Sequence, residues 1–563
     1  MKRLGTTKSG VAFVAIEARR SGLARTVSRF RREEDGSLLI FGLFCFVMML
    51  LLAGAALDLM RFEERRTKLQ NTVDRAVLAA ADLNQTLDAK EVVKDYFRKA
   101  GLTPPKDSEI IVQSGNFNEW RTVTANVKED MPTWFMNMMG IPKLTTPAAG
   151  QAEERIGQVE ISLVLDVSGS MNSNSRLTNL KPAAKDFIDT MFDSVEAGKL
   201  SMNIVTYSTQ VSLGPTLSGY FNMSGEHSKS DCIEFDNADY NTTAMRFTPG
   251  IAAQYQRNGH FDPFNTVAPP TLLNCPQEPE RDIVAFSGNR NALKTYVDNL
   301  IAAGNTSIDV GMKWGAALVD PSMAAVVDDY IQKGRSPADF SDRPYAYGNR
   351  EAIKVIVVMT DGENTTEYKL NPAYRAGNSI IHGNTNYAAS NPAGYSVYDA
   401  TRNQYYLIAK STWRNEPWGD GQITSCSGSI CTTTADPGDS VQLTWQEVWD
   451  RMSINFVADK LIAKPYGTTV RNQWRSGGNT VVSRMSPTTT PVDKDDLTRN
   501  ICSAAKNNGV TIFAIGFEAP TNGVNLLKQC ASTPANYYNA AGTNISTAFS
   551  AIASSINKLR LTN

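Results

Sequence analysis

The run Ser37 to Leu57, SLLIFGLFCFVMMLLLAGAAL, carries no charged residue. About 20 consecutive apolar residues are enough to cross a bilayer core, and inside lipid a lone segment can satisfy its backbone only as a helix. The flank before the run is basic, with Lys2, Arg3, Lys8, Arg19, Arg20, Arg25, Arg29, Arg31 and Arg32. The flank after it is mixed, with Asp58, Arg61, Glu63 and Glu64. The positive-inside rule then predicts a single-pass anchor at 37–57, a basic cytoplasmic segment at 1–36, and everything from about residue 58 outside the cytoplasm. The run is longer than the apolar core of a cleaved signal peptide, and no small-x-small cleavage site is followed by a break, so a retained anchor is expected. A net charge of −1 argues against a nucleic-acid-binding chain.

The helix has no obvious stop at the end of the apolar run. Leu69, Val73, Ala76, Val77, Ala80 and Leu83 recur at spacings of three and four, and Ala55 to Gln85 contains neither Gly nor Pro. The spacing predicts one continuous helix over about 38–84. A second helix is expected at about 88–100, with Val92, Val93, Tyr96 and Phe97 on one face, ending at Gly101 and Pro104-Pro105. Alternating runs within 108–128 predict strands. Residues 58–156 thus read as a pilin-like stalk with a small sheet.

From 157 to the end, strand and helix patterns alternate. Strands are expected at 159–166, 200–208, 353–360 and 510–517, with a weaker one at 535–539. Helices are expected at 178–194, 290–301, 308–319, 497–507, 524–531 and 544–559. Such alternation predicts an α/β fold, a doubly wound, mostly parallel sheet with helices on both faces. Two stretches break the pattern, at about 214–289 and 366–495, and are read as large insertions. The second holds Trp413, Trp418, Trp445, Trp449 and Trp474, which are expected to fill a small core. One helix is expected there, with Val441, Trp445, Val448, Trp449 and Met452 on a shared face. Six cysteines outside the apolar run fall in local pairs: Cys232 with Cys275, Cys426 with Cys431, and Cys502 with Cys530. Proximity suggests this pairing and an oxidising compartment would support it, although six cysteines allow 15 connectivities.

In a doubly wound sheet, ligands bind at the carboxyl ends of the strands. The apolar strand 161–165 runs there into Asp166-Val-Ser168-Gly-Ser170. Two further loops are expected at the same edge, Gly304-Asn305-Thr306 and Thr360-Asp361-Gly362. Asp166, Ser168, Ser170, Thr306 and Asp361 offer hard oxygen atoms only. That set suits Mg²⁺, with Mn²⁺ or Ca²⁺ as alternatives, rather than zinc. If Asp166 and the hydroxyls bind directly and Asp361 acts through water, the ion keeps net positive charge and an open position for an external carboxylate.

This constellation resembles the metal-ion-dependent adhesion site of the von Willebrand factor A domain. The family's Asp-x-Ser-x-Ser corresponds to Asp166, Ser168 and Ser170, its second-loop Thr to Thr306, and its third-loop Asp to Asp361. The resemblance covers the alternating parts of roughly 157–213, 284–365 and 497–560, within an expected domain of 157–563. Residues 31–81, including Glu34-Asp35-Gly36, Leu57-Asp58 and Leu69 to Ala76, resemble the N-terminal region of TadG-like proteins of tight-adherence (Flp) pilus assembly. So does the C-terminal stretch around Cys502, Thr511 to Phe517, and Leu526 to Ser532. A pseudopilin is cut after a Gly and has Glu at the fifth mature position; after Gly36 that position is Phe41, so no such processing is expected.

The resemblance implies a protein of the bacterial inner membrane with its main domain in the periplasm. It implies partners among pilus or envelope proteins, engaged through an acidic side chain on the bound cation. The alternative is a structural tether of the pilus or envelope with an unused metal site. An enzyme is not expected. A phosphotransferase of the haloacid dehalogenase kind needs a second Asp where Ser168 stands, and the three histidines, His227, His260 and His382, lie in the two irregular stretches without zinc-ligand spacing.

Overall fold

The computed structural model describes residues 35–82, 85, 87–114, 120–155, 157–246, 254–349, 351–475, 480–484 and 493–562. Apart from Asp35 and Gly36, the expected cytoplasmic segment 1–36 lies outside them. The chain divides into two compact units, Met1–Arg155 and Ile156–Asn563.

In the first unit, helix α1 (Asp35–Ala81) runs uninterrupted for 47 residues, about 70 Å at 1.5 Å per residue. Its first half is long and apolar enough to cross a membrane, and Leu38, Leu39, Phe41, Phe44 and Phe46 are all exposed. Its second half buries Leu69, Val73, Ala76, Val77 and Ala80 against α2 (Ala89–Lys99) and a three-stranded antiparallel sheet, β1 (Ile110–Ser114), β2 (Trp120–Pro132) and β3 (Lys143–Arg155). Asp58 is an exception within the exposed stretch, being fully buried. Strand β3 went unread in the sequence because Lys143-Leu-Thr-Thr-Pro-Ala-Ala-Gly has small and polar residues where alternation needs bulk.

The second unit is built on a six-stranded sheet. Its strands are β4 (Gln158–Asp166), β5 (Leu200–Tyr207), β6 (Val284–Ser287), β7 (Ala352–Thr360), β8 (Thr511–Phe517) and β9 (Tyr537–Ala540), in the order β9-β8-β7-β4-β5-β6. All neighbours are parallel except β5 and β6. Every residue of β4 is buried, as expected for a strand covered on both faces. Its side chains divide by parity. Ile161, Leu163 and Leu165 join a core with α3 (Arg176–Ser194), α4 (Arg290–Asn299) and α8 (Ile545–Thr562). Val164 joins a separate core with α5 (Ile308–Ala317), α6 (Lys494–Asn507) and α7 (Thr521–Cys530). Helix α5 is buried along its whole length. It lies close because a Cβ at Gly315 would come within 2.5 Å of Val164, and one at Gly311 within 2.6 Å of Tyr207.

The stretches read as irregular contain more order than their sequence suggested. Val284–Ser287, inside the 214–289 range, is the edge strand β6 of the central sheet. Within 366–495, five antiparallel strands form a sheet in the spatial order Thr412–Arg414, Gln404–Leu407, Tyr395–Asp399, Asn378–Asn384 and Ser440–Thr444. Trp445, Trp449 and Trp474 share one core there, Trp445 and Trp449 stacked at 5.5 Å. The expected helix is shorter, Trp445–Arg451, and starts at a capping box between Thr444 and Glu447. Val441 is not on it; that residue lies in the preceding strand and is 48% exposed. The cysteine pairs suggested by proximity are the disulfides present: Cys232–Cys275, Cys426–Cys431 and Cys502–Cys530.

Candidate metal centre

Parallel register brings the carboxyl ends of the central strands level. Asp166 pairs with Tyr207, and Leu165 with Met359, so Asp166 and Thr360 emerge side by side. The Tyr207 hydroxyl donates to the Met359 carbonyl at 2.9 Å and ties β5 to β7 beneath them. After β4 the chain turns at once. The Ser168 N–H donates to Asp166 Oδ1 at 2.8 Å, and a short 3-10 turn, Gly169–Asn172, carries Ser170 back over the strand end.

Four of the five expected residues meet directly. Ser168 Oγ and Ser170 Oγ are 3.0 Å apart, and Ser170 Oγ donates to Asp361 Oδ1 at 2.7 Å across 191 residues of sequence. Asp166 Oδ2 accepts from Thr360 Oγ1 at 2.6 Å. The second loop arrives through its backbone: Gly169 N–H donates to the Gly304 carbonyl at 2.9 Å. Gly304 sits at φ +86, a conformation that favours glycine, and a Cβ there would meet Thr209 Oγ1 at 2.6 Å. Thr306 is buried, and its hydroxyl lies 3.6 Å from where a Cβ on Gly362 would stand. Its N–H donates to Thr365 Oγ1 at 2.8 Å, and its carbonyl accepts the Thr365 N–H at 2.9 Å.

Several partners of this centre were not legible in the sequence. Arg176, at the start of α3, donates through Nη1 to Asp361 Oδ2 at 2.7 Å and through Nε to Glu518 Oε2 at 2.9 Å. Lys494, fully buried, donates from Nζ to Ser307 Oγ at 2.6 Å, Thr365 O at 2.9 Å and Thr306 O at 3.2 Å. Single charged residues at helix starts give no periodic signal, and these two are recruited from 10 to more than 180 positions away.

The electrostatics are those of a centre with surplus negative charge. Burial first, and then the nearby charge of Asp361, push the Asp166 carboxyl up to about 7, against the hydrogen bonds from Ser168 and Thr360 that hold it down. The oxygen spacing is that of ordinary O–H···O hydrogen bonds and is also compatible with a small hard cation. Ligands at about 2.0–2.1 Å in an octahedron stand roughly 2.9 Å from their neighbours, and the three hydroxyl and carboxylate oxygens of Ser168, Ser170 and Asp361 are spaced at 2.7 and 3.0 Å. Among the described residues no cluster of three or more His, Cys, Asp or Glu could hold a metal; this centre has two carboxylates and relies on hydroxyls.

The histidines fall elsewhere. His227 and His260 come together with ring centroids 6.3 Å apart in a small cavity also lined by Glu226, Arg257, Arg375 and Asp450. Burial lowers both, His227 to about 4.

Residues 36–83 match the family model described as putative Flp pilus-assembly TadE/G-like. No curated protein matches the chain. Among solved structures, the von Willebrand factor domain of the type V pili tip protein Mfa5 from Porphyromonas gingivalis aligns with 72% of this chain and 97% of its own, at 15% identity and TM-score 0.31. The pilus adhesin SpaC from Lactobacillus rhamnosus GG aligns with 80% of this chain and 34% of its own, at 13% identity and TM-score 0.27. A von Willebrand factor type A protein from Catenulispora acidiphila aligns with 43% of this chain and 36% of its own, at 14% identity and TM-score 0.14.

Proposed function

Taking the TadE/G-like match of residues 36–83 as the premise, we propose that the chain is a membrane-anchored binding protein of pilus assembly or envelope adhesion. Its second unit is a doubly wound domain of the von Willebrand factor A kind, with insertions near 214–289 and 366–495 and a metal-ion-dependent adhesion site at the sheet edge. The anchor lies in the bacterial inner membrane and the domain faces the periplasm. The convergence of Ser168, Ser170 and Asp361 oxygens at coordination spacing carries the reading. Asp166, Ser168, Ser170, Thr306 and Asp361 would hold Mg²⁺, or Mn²⁺ or Ca²⁺ in its place, and the ion would supply a Lewis-acidic position for a carboxylate of a protein partner. The protein groups hold and orient. Ser170 donates to the Asp361 carboxylate, whose other oxygen accepts from Arg176, an arrangement that holds the hydroxyl in place for binding.

One observation favours a second reading, a structural tether with an unused site. The Arg176 guanidinium already neutralises Asp361, and a cation entering the centre competes with it. Titration of Mn²⁺ into the full chain in phosphatidylcholine nanodiscs, read by loss of the free-ion EPR signal, separates the two. The adhesion reading expects one saturable site, an affinity loss on the order of tenfold or more in Ser170→Ala, and ENDOR coupling from added ¹³C-acetate on the bound ion. Binding that appears only in Arg176→Gln supports the tether. Binding unchanged by Ser170→Ala removes the centre altogether.

A further inference from the structure

From Met131, at the end of β2, through the β2–β3 connection to Pro142 the chain of the first unit carries no charged residue: MPTWFMNMMGIP. It holds a 3-10 turn, Met136–Met139, closed by Gly140 at φ +88. Trp134 is 61% exposed, Met138 75%, Met139 52% and Ile141 40%. Four large apolar side chains together on one loop tip, exposed among the described residues of this unit, are a contact surface.

Its place along α1 identifies the occupant. The hairpin descends the helix in step with it. Arg121 donates to the carbonyls of Ala80 and Asp82. Arg65 forms a two-bond ion pair with Glu129, at 2.8 and 2.6 Å. Lower down, Asp58 accepts the N–H groups of Trp134, Phe135 and Met136 at 3.0, 2.8 and 2.9 Å. Lowest of all, Phe135 covers Gly54, where a Cβ would lie 2.3 Å from its ring. Gly54 belongs to the uncharged run Ser37–Leu57, whose length at 1.5 Å per residue is about 30 Å, the thickness of a bilayer hydrocarbon core. The level of Phe135 is therefore inside the outer edge of that core, about 4–5 Å below Leu57. Polar groups fall where a bilayer would want them. The Arg61 guanidinium stacks on the Trp134 ring at 3.6 Å, and Arg61, Arg65 and Lys68 follow one another up the same groove. A tryptophan at the apolar boundary with basic residues above it is an interfacial anchor.

We propose that residues 134–141 dip into the outer leaflet beside α1 and form a second membrane contact, so that Asp58 and Gly54 clamp an interfacial loop to the membrane helix. This rests on reading Ser37–Leu57 as the bilayer-crossing segment. The contact would fix the tilt and rotation of the stalk, since one helix alone leaves both free.

Depth-dependent quenching tests it. The full chain carrying Cys45→Ser and Met138→Cys is labelled with a nitrobenzoxadiazole fluorophore and placed in phosphatidylcholine–phosphatidylglycerol nanodiscs. Parallel samples carry the label through Leu50→Cys in the span and Gln113→Cys on the exposed far end of the sheet. Doxyl-labelled lipid is expected to quench position 138 at least about twofold more than position 113, and an aqueous nickel chelate is expected to act in the reverse order. Quenching of 138 from water to the same extent as 113, with Leu50 quenched by lipid, overturns the loop contact alone. Shielding of 138 from both quenchers also overturns it, because the tip is then covered by protein, a second copy or another partner. If position 50 is itself not quenched by lipid, the crossing segment fails and the proposal with it.

Discussion

At pH 8 in EDTA, Asp166→Asn is expected to be more stable than the parent protein by about 2–4 kcal/mol, and that advantage is expected to shrink by about 2 kcal/mol in Mg²⁺ at about 100 times the parent's Kd. The reason lies in the elevated Asp166 carboxyl, pushed from 3.8 to about 7 by burial and by Asp361. A carboxyl that binds its proton more tightly folded than unfolded contributes stability that is complete below about pH 4 and lost as the pH rises through about 7. Without a cation, the parent therefore becomes less stable across that window. The amide removes a buried charge beside a like charge while keeping an acceptor for the Ser168 N–H, and its NH₂ can donate to Thr360 Oγ1. With Mg²⁺ bound, the ionised carboxylate is what the ion needs. At a concentration of 100 times Kd the parent gains about 2.7 kcal/mol, whereas the amide variant loses affinity on the order of 100-fold or more. Denaturation of the full chain in detergent micelles, with EDTA or Mg²⁺ at pH 5 and pH 8, checks each part. A Mg²⁺ stabilisation as large at pH 5 as at pH 8 contradicts the coupling to Asp166, and stabilisation that persists in Asp166→Asn contradicts the site.

Lys494→Met is expected to destabilise the second unit by about 3–5 kcal/mol, because it removes a fully buried cation. Lys494 Nζ is the common donor for Thr306 O, Ser307 Oγ and Thr365 O, and it lies 3.6 Å from the buried carboxylate of Asp309. Methionine fills similar volume but leaves those acceptors short of a donor and removes the cation from beside a buried acid. The loop carrying Thr306 would loosen, and Mn²⁺ affinity is expected to fall together with stability. Loss of stability with an unchanged affinity would show that Lys494 holds the fold without positioning the loop. As a comparison, Lys185 forms an ion pair with Asp298 in which both side chains are substantially exposed; breaking a pair of that kind is worth at most about 1 kcal/mol.

Both predictions concern contacts made across long stretches of chain, which is where sequence reading stops. The strands β4, β5, β7 and β8 and the helices α3 to α8 were legible from their hydrophobic period, whereas the helix Ala324–Gln332 between β5 and β7 was not read. The long helix was legible because nothing interrupts it. Asp166, Ser168 and Ser170 stood out because a buried strand runs into them. By contrast, β3 has weak alternation, and β6 is a four-residue edge strand inside a stretch of loops. The five-stranded sheet between 378 and 444 is built from short aromatic runs whose pairing depends on partners far apart.

The amino-acid order alone determined that a chain with Ser37–Leu57 carries one apolar helix, that alternating elements follow residue 157, and that a carboxylate and two hydroxyls stand at a strand end. Those are local properties, set by hydrophobic period and by residue type. Tertiary structure decided what surrounds them. Parallel register set Asp166 beside Thr360, the turn after β4 brought Ser170 to Asp361, and helix packing delivered Arg176 and Lys494 to loops they do not adjoin in sequence. It also lowered the uncharged tip of the β2–β3 hairpin along α1 to the level of Gly54. A charge or hydroxyl acquires its role from neighbours within about 3 Å, and the order of residues does not specify which distant neighbours those are.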